Sequence, residues 1–179
     1  VGAATAKMLV AKGGKVVINF SRSIDAAKKV AEECESLGGE VQLCQADVSK
    51  DDDCLRMVDE ALEKWGRLDV LVNNAGTTKF VQHPDLDGLS SEDFQHIYGV
   101  NVIGPFQMVR AAHDALKASG NGSIVNVASI AGVKGVGSSI AYAASKGALI
   151  TMGKSLARIM GPEVRVNTVC PGFITGDWL

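Results

Sequence analysis

The chain has 179 residues, 46% hydrophobic and 21% charged, with a formal net charge of −2 and a pI near 5.9. That balance excludes a mainly disordered chain and gives no electrostatic pull toward nucleic-acid phosphates. No apolar run reaches the length of a membrane span, and neither the three His nor the four Cys have metal-ligand spacing, so a soluble, cytoplasmic protein with reduced thiols and no metal is expected.

The predicted elements alternate from end to end. Residues 5–11 read as a helix stopped by Gly13-Gly14, and residues 15–20 as a short buried strand. Ile24, Ala27, Ala31, Cys34 and Leu37 recur at helical spacing up to Gly38-Gly39. Residues 41–46 form a second strand. Leu55, Val58, Ala61, Leu62 and Trp65 mark a helix capped by Gly66, and residues 68–73 are the next strand. A polar loop spans 77–90. Residues 91–116 are helical, with an irregularity expected at Gly104-Pro105. A strand at 123–127, a long helix at 142–160 ended by Gly161-Pro162, and a strand at 164–169 complete the order.

Strands alternating with helices imply parallel βαβ units, and continuous apolar strands imply a sheet covered on both faces. The fold class is therefore α/β, a Rossmann-type doubly wound parallel sheet, with residues 1–179 as a single dinucleotide-binding domain. In such sheets ligands bind beyond the carboxyl ends of the strands. The unusual residues of this chain fall there.

After the first strand comes Ser21-Arg22-Ser23, where a dinucleotide fold faces the adenosine ribose. Arg22 suits a 2′-phosphate, hence NADP(H), or is an ordinary surface arginine. Asp47-Val48 follows the second strand, as an adenine acceptor with its neighbouring amide or as a turn aspartate. Asn73-Asn74-Ala75-Gly76 lets a flat ligand lie against backbone, or is a plain turn. Pro171-Gly172 after the last strand would bring backbone near Ile174 to a nicotinamide carboxamide, or is again only a turn.

Ser129 follows the strand at 123–127. Thirteen positions on stands Tyr142, and one helical turn later Lys146, so phenol and ammonium share a helix face. A free tyrosine has a pKa of about 10, and a nearby cation lowers it. Tyr142 thereby becomes a usable general acid in reduction and base in oxidation, with Ser129 placed to bond the substrate oxygen. Asn101 is a poor helix former in a helical stretch; it holds a water beside Lys146 or merely marks the helix interruption.

Together, Asp47, Asn73-Asn74-Ala75-Gly76, Asn101, Ser129, Tyr142-x-x-x-Lys146 and Pro171-Gly172 resemble the short-chain dehydrogenase/reductase family along nearly the whole chain. Tyr142-Ala143-Ala144-Ser145-Lys146-Gly147-Ala148 and Arg165-Val166-Asn167 look most like its 3-oxoacyl-carrier-protein reductases and general alcohol dehydrogenases. The resemblance implies Tyr142 as catalytic acid/base, Ser129 steadying the substrate oxygen, Lys146 lowering the tyrosine pKa and bonding the nicotinamide ribose, and Asn101 holding a relay water. It implies Asp47 and Asn74 on the adenosine side and a homotetramer acting on a small carbonyl or alcohol. The expected cofactor is NADP(H), with NAD(H) possible. The alternatives are an NAD-dependent sugar, polyol or steroid dehydrogenase, and a cofactor-binding fragment without turnover.

Two departures accompany the resemblance. Of the family's glycine-rich phosphate loop only Val1-Gly2 matches, and the strand before it and the substrate-pocket segment after Leu179 have no counterpart, so the chain is expected to be truncated at both ends. Gly176 stands where the family often has Thr, with Thr175 one position early.

Overall fold

A computed structural model describes residues 1–175 of the chain. The expected departure at Gly176 lies outside the described residues. In order the elements are α1 (Gly2–Val10), β1 (Val16–Phe20), α2 (Ile24–Ser36), β2 (Val41–Gln45), α3 (Asp51–Trp65) and β3 (Val70–Asn73). There follow α4 (Ser91–Tyr98), a π-helical turn (Gly99–Ile103), α5 (Gly104–Ala118), β4 (Gly122–Val127), α6 (Ala131–Lys134), α7 (Ile140–Met160) and β5 (Val164–Val169).

All strand pairs are parallel, as the βαβ alternation requires. They form two hydrogen-bonded groups, β1-β2 and β3-β4-β5, where a single sheet was expected. No pairing joins β1 to β3 among the described residues. β4 is the central strand of its group, with Asn73 opposite Asn126 and Val127 opposite Val169. The Asn73 amide donates to Asn126 Oδ1 at 2.9 Å, which ties the ends of β3 and β4 by side chains as well as backbone.

The main core lies between these strands and helices α3, α5 and α7, around Val58, Leu71, Leu116, Ile124 and Leu156. A smaller cluster of Ala6, Val10 and Cys34 seats α1 on α2. The start of α3 and the helical irregularity differ from the sequence reading for local reasons, while α4 begins at Ser91 as expected. α3 starts at Asp51, because its acidic first turn complements the helix dipole even though it carries no apolar stripe. α4 starts with a capping box: Asp93 N–H donates to Ser90 Oγ, and Ser90 N–H donates to the Asp93 carboxylate. The irregularity expected at Gly104-Pro105 lies one turn earlier, as the π-helical turn that contains Asn101; Pro105 sits in the first turn of α5, where its missing N–H costs little.

Candidate active site

The ends of β3, β4 and β5, the π-helical turn and the start of α7 converge on one region. Ser139 caps α7 and its hydroxyl accepts from the Tyr142 N–H at 3.3 Å. Tyr142 therefore lies in the helix's first turn, where the dipole favours negative charge. Its side chain is buried, and burial pushes the phenol above its ordinary value, while a hydrogen bond with Ser129 pulls it down. Ser129 sits two residues beyond β4, with its hydroxyl also accepting from Ala131 N–H at 3.1 Å. The hydroxyls of Ser129 and Tyr142 thus face each other.

Lys146 is only 4% exposed. Its ammonium donates to the Val127 carbonyl at 2.9 Å and stands 5.7 Å from the centroid of the Tyr142 ring. Burial lowers its pKa to about 8. The ammonium thus lies over the ring of Tyr142 and is held there by the Val127 carbonyl.

Asn101 is fully buried. Its Oδ1 accepts from Thr77 N–H at 2.8 Å, and its amide donates to the Thr77 carbonyl at 3.0 Å and to Ser145 Oγ at 2.9 Å. Ser145 in turn donates to the Tyr142 carbonyl at 2.7 Å. A Cβ placed on Gly76 would stand 3.5 Å from both Asn101 Oδ1 and Lys146 Nζ, so the glycine leaves a small polar nook between them. At Gly2 a Cβ would lie 2.6 Å from the Asn74 amide nitrogen, which brings the start of α1 against the loop after β3. Both close approaches fit a flat ligand laid along backbone.

Asp47 Oδ1 accepts from Ser49 N–H and hydroxyl at 3.0 and 2.7 Å, a turn arrangement that holds its carboxyl below the usual range. Val48 is buried beneath Gly104, where a Cβ would meet it at 2.8 Å. Arg22 is exposed and makes no side-chain hydrogen bond or ion pair among the described residues. Ala75 packs against the main core. Pro171 accepts from Ile130 N–H at 2.9 Å, tying the loop after β5 to the one after β4; Gly172 is open and Ile174 exposed.

Sequence reasoning missed Ser145, which with Thr77 and Ser139 holds the predicted residues in place; at Gly132 a Cβ would meet the Lys146 carbonyl carbon and Gly147 nitrogen at 2.5 Å. Ser145 had a readable signal, since it stands at i+3 from Tyr142 on the face of the predicted pair. Among the described residues, no group of His, Cys, Asp and Glu could hold a metal, and no helix is long and apolar enough to cross a membrane.

Comparison with known proteins agrees with this architecture. The family pattern described as short chain dehydrogenase matches residues 1–178. The “Granaticin polyketide synthase putative ketoacyl reductase 2” of Streptomyces violaceoruber is 46% identical over 178 residues, 99% of this chain and 70% of that protein. A 3-oxoacyl-[acyl-carrier-protein] reductase of Synechocystis is 36% identical over 178 residues, 99% of this chain and 71% of that one. The crystal structure of an NAD+-bound xylitol dehydrogenase superposes with a TM-score of 0.91 at 31% identity, covering 98% of this chain and 66% of that one. The fold is Rossmann-like α/β and the class is that of NAD(P)-dependent oxidoreductases. The chain belongs to the short-chain dehydrogenase family.

Proposed function

We propose that the protein transfers a hydride between NADP(H) and a carbonyl or secondary-alcohol carbon, with 3-oxoacyl thioesters as the favoured substrates. The observation that carries this reading is the convergence of Ser129, Tyr142 and Lys146 at the end of β4. When bound, the nicotinamide supplies or accepts the hydride. Tyr142 gives its proton to the substrate oxygen in reduction and takes it back in oxidation. Ser129 donates a hydrogen bond to the same oxygen as charge builds on it. Lys146, fixed on the Val127 carbonyl, would bond the nicotinamide ribose. Asn101 and Lys146, which flank the nook at Gly76, would hold a relay water there.

Gly2, Asn74, Ala75 and Gly76 would hold the cofactor along its length, with Asp47 and Val48 at the adenine and Pro171, Gly172 and Ile174 at the carboxamide. Arg22, exposed and without an ion pair among the described residues, would take the 2′-phosphate. The ketoacyl substrate is that of the two reductases named above. Residues 1–179 act as one dinucleotide-binding domain, in a homotetramer, in the cytoplasm. The likeness to the NAD+-bound xylitol dehydrogenase favours a second reading, an NAD-dependent dehydrogenase of a polyol.

Tyr142→Phe tests the proposal. It removes the proton donor and keeps the ring. Turnover with NADPH and a 3-oxoacyl thioester should fall by about 10²-fold or more while dinucleotide binding persists. Unchanged turnover would overturn the assignment of Tyr142.

A further inference from the structure

The loop after β2 is held by a relay that ends on one proposed binding residue, Asp47, and is built from residues that are not. Asp47 N–H donates to Asp53 Oδ2 at 2.8 Å. The other oxygen of that carboxylate, Oδ1, accepts from Arg56 at 3.0 Å. Arg56 is itself braced on β2, donating to the Gln45 carbonyl at 2.7 Å and approaching Cys44 Sγ at 3.5 Å, and its second nitrogen donates to Glu60 at 2.6 Å. Asp53 occupies the third position of α3, whose N-cap is Lys50. An acid at that position ordinarily reaches back to the N-cap amide. Here it reaches past Lys50 to the residue three positions before that N-cap and so fixes the Asp47 backbone rather than the helix end.

We infer that Asp53 and Arg56 are positioning residues for the cofactor's adenine: they touch no ligand, and they set the place of the Asp47 carboxylate by holding its backbone amide against the end of β2. The inference rests on the reading of Asp47 as the adenine partner. The relay has a strength that a single surface ion pair lacks, because the guanidinium spends its donors on two carboxylates and a strand carbonyl in one fixed fork. Asp47 also uses its own Oδ1 on Ser49, so with its amide held from below the carboxylate has one orientation.

The test measures dissociation constants by fluorescence for NADPH and for reduced nicotinamide mononucleotide, which lacks the adenosine half. Asp53→Ala should weaken NADPH by about tenfold, the cost of about one charge-assisted hydrogen bond, and leave the mononucleotide within about twofold. Asp53→Asn, which can keep the bond to the Asp47 amide and loses the one to Arg56, should fall between Asp53→Ala and the unaltered protein. Arg56→Gln should also weaken NADPH alone. Weakening of both probes alike would mean a general structural role and overturn the proposal, as would unchanged NADPH binding in both Asp53 variants. Failure of the unaltered protein to bind NADPH or NADH would instead overturn the cofactor reading, and this inference with it.

Discussion

The side-chain amide of Asn101 donates to the hydroxyl of Ser145 at 2.9 Å, and both residues are fully buried. The same hydroxyl donates to the Tyr142 carbonyl, so one serine joins the π-helical turn to the first turn of α7. Ser145→Ala should destabilise the fold by about 1–3 kcal/mol, since an amide hydrogen of Asn101 loses its acceptor in a dry site. Turnover should fall by about tenfold as Tyr142 and Asn101 lose their common anchor. Urea denaturation and steady-state kinetics check both. A stable variant with full turnover would show that the bridge is dispensable.

Lys146 gives a pH dependence whose sign is set by burial. Its pKa in the folded protein is about 8, against 10.5 for the exposed group. Below pH 8 the ammonium is charged in both states and the full penalty for burying it is present. As pH rises from about 8 to 10.5 the folded protein loses its proton first, and stability rises. The difference corresponds to on the order of 3 kcal/mol. Against Lys146→Met, which removes this titration, the unaltered protein should gain stability across that window. Denaturation midpoints of both proteins at pH 7, 8.5 and 10 measure it. Parallel curves would contradict the assignment.

Two glycines separate binding from folding. At Gly76 an added Cβ meets Asn101 Oδ1 and Lys146 Nζ at ordinary contact distance, 3.5 Å. Gly76→Ala should therefore fold with a stability change below about 1 kcal/mol, yet occupy the nook and weaken NADPH by about tenfold. At Gly132 the Cβ would meet the backbone of α7 at 2.5 Å, which nothing nearby can relieve. Gly132→Ala should cost about 1–3 kcal/mol or more by forcing α6 away from α7. Thermal melts and cofactor titrations of the two variants give opposite patterns if this is right.

Arg22 decides between the two cofactor readings. Arg22→Ala should weaken NADPH by about tenfold and leave NADH within about twofold, because only the former carries a 2′-phosphate. Titrating the unaltered protein and the variant with both nucleotides is sufficient. An unaltered protein that prefers NADH would favour the polyol reading.

Much of the fold was legible along the chain. The runs at 16–20, 41–45, 70–73, 122–127 and 164–169 are short and rich in apolar residues, and glycines separate each from the helix before it, so local chemistry alone specifies strands alternating with helices. Tyr142 and Lys146 were legible for the same reason, since a helix places i and i+4 on one face wherever it lies. The partners of these residues were not. Asn101 meets Ser145 across 44 positions, Asn73 meets Asn126 across 53, and the Lys146 ammonium ends on the Val127 carbonyl.

Local pattern therefore determined the secondary structure, the parallel α/β class and the residue types of the site. Tertiary packing decided how those residues behave. Whether Tyr142 is raised or lowered depends on what buries it, and the Asp47 amide is fixed by Asp53 from the helix that follows. The division of the strands into two hydrogen-bonded groups belongs to the same class of fact. Strand pairing joins residues far apart in sequence, and burial is a property of the surroundings, so neither is written in the periodicity of a single segment.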